Sequence, residues 1–335
     1  MRVAAIMRDE RYSLGSADND RLILKAAVEA LRSLLCASAK PADDTVLVSE
    51  PTDDTVLVSG PTDDADFVSE SADGTELVEV DVMAEGALDV RKPETDIILS
   101  MARSPKALAV LSECKKDGAT VLNSPLAVEN CSRARLYQLM SEHQFLMPAT
   151  YLDGINCPSD ANDSQCSGAY WIKRADDSPQ GGDDVMFAAD SAQLALARER
   201  MKQNGTARWI VQQHIPGDLV KYYGVRGRMF RIFYPTDDGE GRMGHERHNG
   251  PARHYAFDTD KLKTEAERLA ALTGTVIYGG DAIITEDGRI YMIDFNDWPS
   301  FSRCRAEAAQ AIAQAAIAQM PRPCGESPGK PGTPG

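Results

Sequence analysis

Residues 279–297 gather the groups with most chemistry to offer. Two apolar runs flank Asp287-Gly288, a pair that accepts positive φ and suits a two-residue hairpin turn. With those two residues as the loop, Asp281 falls directly opposite Asp294, their Cβ atoms about 5 Å apart. Ile283 then opposes Met292, Ala282 opposes Ile293 and Ile284 opposes Tyr291, while Asn296 shares the face of Asp294. Apolar residues on both faces predict burial on both sides. Two opposed carboxylates in such a place repel and lose hydration, so something must compensate them. A divalent cation does so economically, because two carboxylates and an amide oxygen are hard ligands of the kind Mg²⁺ takes. The alternative is a solvent-facing hairpin end whose acids are unrelated.

The elements around this hairpin follow from apolar periodicity. Val3–Met7 reads as a strand, Asp20–Leu35 as a helix with an apolar face at Leu22, Leu24, Ala27, Val28, Leu31 and Leu35, Asp96–Met101 as a strand, Pro105–Lys116 as a helix and Ala119–Leu122 as a strand. That alternation implies a parallel sheet with helices on its faces. From Tyr170 the texture changes to paired strands: Tyr170–Lys173, Val185–Ala188, Trp209–His214, Val220–Val225, Met229–Tyr234, Val276–Thr285 and Arg289–Phe295. Helices fit at 191–203, 259–272 and 302–320. The tail from 321 is rich in Pro and Gly and reads as disordered.

The chain has 335 residues and a formal charge of −15, from 36 Lys and Arg against 51 Asp and Glu. Residues 41–80 hold 12 of the acids and no base, so the rest is close to neutral. That segment is a ten-residue repeat (PADDTVLVSE, PTDDTVLVSG, PTDDADFVSE, with a decayed fourth copy). Two readings stand: a small acidic interaction array, or a duplicated strand and turn of which one copy docks in the sheet, the last copy being the expected one. Without a basic stripe, nucleic-acid binding is not expected; without an apolar run of about 20 residues, neither is a membrane span. The start, MRVAAIMRDE, returns to charge too soon for a secretory signal, and seven scattered cysteines contain no CxxC pair. The expected location is cytoplasmic.

These residues, in this order, resemble the ATP-grasp superfamily over residues 95–318, with a fainter likeness before them. The resemblance implies an α/β N-terminal domain with a parallel sheet (the pre-ATP-grasp domain, 1–125, carrying the insert) followed by an α+β ATP-grasp fold of two subdomains, 126–212 and 213–320. It implies ATP with one or two Mg²⁺. Asp281, Asp294 and Asn296 match the metal ligands, and Lys173 matches the strand lysine that reaches the α- and β-phosphates. The loop Asp176–Asp183, with Gly181-Gly182, matches the lid over the phosphates. Val211–Gly217 matches the adenine hinge, with Gln213 where the family usually has Glu, leaving Asp218 as a substitute for the ribose contact. Arg133 stands where a phosphate-reaching lysine is usual, and its fork preserves the charge. Lys221 and Arg231, on the strands after the hinge, are candidates for the γ-phosphate or an anionic substrate, the alternative being ordinary surface charges. Trp298–Ser302 would lie where substrate meets that phosphate, with Ser300 at the N-terminus of the last helix.

Rival motifs are weaker. Gly325–Lys330 is one residue short of a Walker loop, and no GxGxxG is present. His245 and His248 lack a third ligand, His214 reads as packing, Asn249 as a polar contact on the substrate side, and Cys304 as a half-buried thiol at a helix start. The resemblance implies an ATP- and Mg-dependent ligase that activates a small-molecule or peptide carboxylate for attack by an amine. An inositol-phosphate-like small-molecule kinase and a non-catalytic nucleotide-binding module are the alternatives. The expected partner is a small-molecule substrate; a homodimer is compatible with the resemblance, and the sequence leaves the oligomeric state open.

Overall fold

The structure, a computed structural model, describes residues 1–13, 16–38, 78–153, 168–175, 183–237 and 246–321. The repeat copies up to residue 77, the loop at 176–182, Met243-Gly244-His245 and the tail from 322 lie outside the described residues. Strands β1 (Arg2–Met7), β2 (Glu79–Ala84), β3 (Ile97–Ser100) and β4 (Thr120–Leu122) form an all-parallel sheet in the order β2-β1-β3-β4. The strand expected to dock at the end of the repeat is β2, which runs beside β1 from Glu79 opposite Arg2 to Ala84 opposite Met7.

Helix α1 (Ala17–Ser38) covers one face of this sheet and α2 (Pro105–Lys116) the other. The buried stripe of α1 is turned from the expected one: Leu22 is 47% exposed, and Ile23 is in the core with Leu24, Ala27 and Leu31. The C-terminal helix α7 (Arg305–Gln319) returns to pack on α1, its run of alanines (Ala308, Ala309, Ala313, Ala316) giving a smooth surface that admits a close neighbour. It starts three residues later than expected because Trp298 and Phe301 take left-handed φ values of 42° and 46° and re-aim the chain first.

Two antiparallel sheets make up the rest of the described chain. Strands β5 (Thr150–Leu152), β6 (Tyr170–Arg174), β7 (Val185–Ala188) and β8 (Trp209–Gln213) lie in the order β5-β8-β6-β7, backed by α5 (Ser191–Gln203). Strands β9 (Asp218–Val225), β10 (Met229–Phe233), β11 (Ile277–Ile284) and β12 (Ile290–Asp297) lie in the order β10-β9-β11-β12. The last sheet shares its core with α6 (Thr259–Thr273) and with Leu136 and Met140 of α4 (Arg133–Glu142). Ahead of α4 stands the short helix α3 (Pro125–Asn130). Sequence periodicity missed α3, α4 and β5, although Ser124-Pro125 is a helix-start signal: the Ser124 hydroxyl accepts from the Ala127 N–H and proline occupies the first turn.

Candidate functional site

Asp281 and Asp294 do pair across β11 and β12, though by a different route from the expected turn. The loop holds three residues, Glu286-Asp287-Gly288, with Gly288 at φ 76° and hydrogen bonds from Gly288 N–H to Thr285 C=O and from Thr285 N–H to Arg289 C=O. Next to that turn Ile284 faces Ile290, Ile283 faces Tyr291 and Ala282 faces Met292, each one residue off the expected register. A bulge at Ile293 then restores the offset, so that Asp281 meets Asp294. The bulge has a second effect: the Ile293 carbonyl, outside the ladder, accepts from Lys173 Nζ at 3.3 Å.

The glycines before Asp281 make room for this geometry. A Cβ on Gly280 would collide with the Asp294 carbonyl and the Tyr222 hydroxyl, and Tyr222 donates to that same carbonyl at 3.2 Å. Tyr222 therefore crosses Gly280 to hold the β12 backbone at Asp294. Register then sets two rows of side chains on the opposite face of the sheet: Phe233, Lys221, Asp281 and Asp294 in one, Arg231, Tyr223, Gly279 and Asn296 in the other.

The two carboxylates have cations close by. Lys221 Nζ is 3.3 Å from Asp281, and Arg133 Nη2 is 3.9 Å from Asp294. Arg133 is also anchored through Nη1 to the Arg174 carbonyl at 3.0 Å. Burial pushes the Asp294 carboxyl upward, but Arg133, Lys173, the Phe295 N–H and the Asn296 amide outweigh it, so its pKa lies below the ordinary range. Lys173 is buried and donates to Gln212 Oε1 at 2.9 Å; Gln212 in turn donates to Thr150. Burial lowers the Lys173 pKa to about 8, with Asp294 and Asp281 holding it up against Arg133. The repulsion read from the sequence is thus met by three side-chain cations, leaving one positive charge in excess.

Arg133, Lys173, Lys221, Asp281 and Asp294 all line one cavity of about 250 Å³. Its apolar walls include Trp171, Ile215, Leu219 and Ile283, and its rim carries Gln213, His214 and Asn249. Trp171 Nε1 donates to His214 Nδ1 at 3.1 Å, and burial, with the nearby His248, lowers the His214 pKa. His248 stacks on Phe187, ring centroids 3.9 Å apart. The hinge backbone is largely engaged: the Gln213 and His214 N–H groups donate to Ala149 and Ala169, while the Ile215 and Gly217 carbonyls accept from Asn249.

Three expected placements need correction or refinement. Asp218 is not placed for a ribose contact, because its buried carboxylate accepts from the Arg253 and Tyr255 N–H groups at 2.7 and 2.8 Å. Ser300 is not at the N-terminus of α7, which begins at Arg305; its hydroxyl bonds with that of Tyr223 instead. Arg231 shares the face of Asn296 but reaches α7, where its Nη2 lies 2.6 Å from Glu307. Cys304 precedes α7 half-buried, as expected, and burial raises its thiol to about 11. The lid glycines, Gly181-Gly182, lie outside the described residues. Sequence reasoning did not single out Gln212, Trp171 or Asn123. The side-chain amide of Asn123 is buried, donates to the Ile277 carbonyl and accepts from the Val276 and Ile277 N–H groups. It had a signal in its place between an apolar strand and a Ser-Pro helix start.

Solved structures of similar shape cover nearly the whole chain. A D-alanine–D-alanine ligase from Bacillus anthracis, solved with ATP, aligns with a TM-score of 0.60 at 10% identity, covering 95% of this chain and 97% of that one. This chain has the ATP-grasp fold. A RimK-domain ATP-grasp protein from Sphaerobacter thermophilus aligns with a TM-score of 0.57 at 16% identity, covering 95% and 100%. The ATP-grasp ligase PsnB, solved with the precursor peptide PsnA2 and AMPPNP, aligns at 0.54 and 16% identity, covering 95% and 98%. No family model matches the sequence, and no curated protein matches it. Among the described residues no helix is long and apolar enough to cross a membrane.

Proposed function

We propose that the protein is an ATP- and Mg²⁺-dependent ligase that joins a carboxylate to an amine. The observation that carries this is the convergence of Arg133, Lys173, Lys221, Asp281 and Asp294 on one cavity bounded by Gln213, His214 and Ile215 of the hinge. The donor set fits the metal: Asp281, Asp294 and the Asn296 amide oxygen are hard oxygen ligands, of which Mg²⁺ takes a few and completes its shell with water and phosphate. Among the described residues no three His, Cys, Asp or Glu side chains converge, so a softer metal has no site of that kind. The apolar slot beside Trp171 and Ile215 suits a base, and Lys173 and Arg133 suit phosphate oxygens. The two antiparallel sheets would close on the nucleotide from either side.

Bound MgATP supplies a γ-phosphoryl group that turns a carboxylate into an acyl phosphate, which the amine attacks with loss of phosphate. The chain's part is positioning and charge neutralisation. Lys173 is held by Gln212 and the bulged Ile293 carbonyl, which aims its ammonium before any ligand arrives. Lys221 is carried on the same face at Asp281. Arg231 stands next to Tyr223 on the row of Asn296 and would exchange Glu307 for an anionic group. The neighbouring structures named above are ligases or ATP-grasp proteins, and they lend no support to the kinase alternative. The test is stoichiometry. Purified protein with MgATP and paired carboxylate and amine panels is expected to release ADP and inorganic phosphate in equal amounts with an amide product. ADP without phosphate would mean a kinase, and no ADP with any pair would count for a binding module.

A further inference from the structure

A second cavity, of about 530 Å³, opens between the loop after β3 and helices α3 and α4, with Asn296 at its edge. Arg133 lines both this cavity and the smaller one holding Lys173, so a single guanidinium forms their shared wall. Its size falls in the range of small-molecule sites, about 300–1,000 Å³. Its charge is unlike that of the chain: four arginines, Arg103, Arg133, Arg135 and Arg174, line it against two acids, Glu129 and Asp184. Of the acids, Asp184 is spent on Arg174, 2.6 Å away. Pro105, Leu108, Leu126 and Val128 give it an apolar side.

Arg103 is the most firmly held of these cations. Its guanidinium pairs with Asp297, whose side chain has no exposure, and its backbone N–H donates to Glu85. Its Nε is nonetheless buried without a hydrogen-bond partner among the described residues, as is Asp297 Oδ2. The Arg103 side chain itself is one quarter exposed, so the guanidinium keeps an edge toward the cavity while Asp297 holds it from behind. Asp297, Asp184 and Asp294 answer Arg103, Arg174 and Arg133, whereas Arg135 lines the cavity with no acid paired to it among the described residues, so a second anion of a ligand would meet it there.

We propose that this cavity holds the carboxylate substrate and that the substrate is an aliphatic diacid: one carboxylate directed to the Asn296 edge, an apolar spacer along Leu108 and Val128, and a second anion read by Arg103 and Arg135. This rests on the ligase reading and adds the substrate class to it. The experiment is thermal denaturation of the full chain with Mg²⁺ in excess, with and without AMPPNP, adding glutarate, adipate or L-glutamate and their singly charged counterparts valerate and L-glutamine. The diacids are expected to raise the melting temperature and the counterparts to leave it unchanged. Arg135→Gln, at an exposed position, is expected to weaken the diacid at least tenfold, with the shift given by Mg·AMPPNP alone as the fold control. Arg103→Gln should do the same but breaks a buried ion pair, so Arg135→Gln decides. Equal responses to valerate and glutarate, no response to any diacid, or full diacid binding by Arg135→Gln would overturn the proposal. Loss of the AMPPNP response is a separate result that counts against the nucleotide site, since diacid discrimination is also read without nucleotide.

Discussion

Lys173 offers a direct measure of the electrostatics of the nucleotide cavity. Burial holds its folded-state pKa at about 8 against 10.5 for an unperturbed lysine. That difference corresponds to about 3 kcal/mol. The sign follows from linkage: below pH 8 the lysine is protonated in both states and its desolvation weakens the fold by the full amount. Between pH 8 and 10.5 the unfolded chain binds more protons than the folded one, so this contribution rises with pH and is complete above 10.5. Lys173→Met removes the charge and keeps most of the volume, at the cost of the bonds to Gln212 and Ile293. Those bonds are worth roughly 1–3 kcal/mol together, less than the desolvation they accompany. The variant without ligand is therefore expected to be about as stable as wild type, or more so, at pH 7, and to lose about 3 kcal/mol relative to wild type by pH 10.5. Urea unfolding of both proteins at pH 7, 8, 9 and 10 reads this as a difference in which ionisations away from the cavity cancel. A difference that stays flat with pH would mean that Lys173 titrates normally and that the cavity is wet, refuting the reasoning.

Two further substitutions test the supports of the site. Gly280→Ala places a methyl group against Tyr222 and the Asp294 carbonyl, and is expected to lower stability by about 1–3 kcal/mol in urea unfolding, where Gly86→Ala, with open space around it, should change little. Asp218→Asn leaves one of the Arg253 and Tyr255 N–H groups poorly met and is expected to cost about 1–3 kcal/mol of stability, while the ratio of ATP to 2′-deoxy-ATP affinity stays within twofold of wild type by calorimetry.

The sheet-forming segments were legible because their signals are local: the aromatic and β-branched runs at 170–174 and 185–188, the Asp-Gly turn and the capped helices at 105–116 and 259–273 depend on near neighbours in sequence. The Asp281–Asp294 pairing was also legible, though through two offsetting departures. The loop is one residue longer than expected, and the bulge at Ile293 restores register. A bulge leaves no mark on hydrophobic pattern, since Met292 and Ile293 are both apolar. What sequence could not show is which partner each polar group takes. Asp218 and Glu129 look alike in sequence; one is consumed by backbone N–H groups and the other lines a cavity. The exchange of Leu22 for Ile23 in the α1 core has the same cause: neighbouring apolar residues leave the helix rotation to be decided by α7, nearly 300 residues later.

If the β11–β12 hairpin holds Mg²⁺ against a nucleotide, thermal denaturation of wild type and Asp294→Asn with AMPPNP, in the presence and absence of Mg²⁺, reads it out. Asparagine keeps the shape of Asp294 and removes the charge that balances Arg133 and Lys173. At about 100 times its dissociation constant the nucleotide adds about 2.7 kcal/mol, several degrees in melting temperature. The expected result is a rise in wild type that requires Mg²⁺ and is largely lost in Asp294→Asn. A rise of equal size without the metal or in the variant, or no rise in wild type, would contradict it.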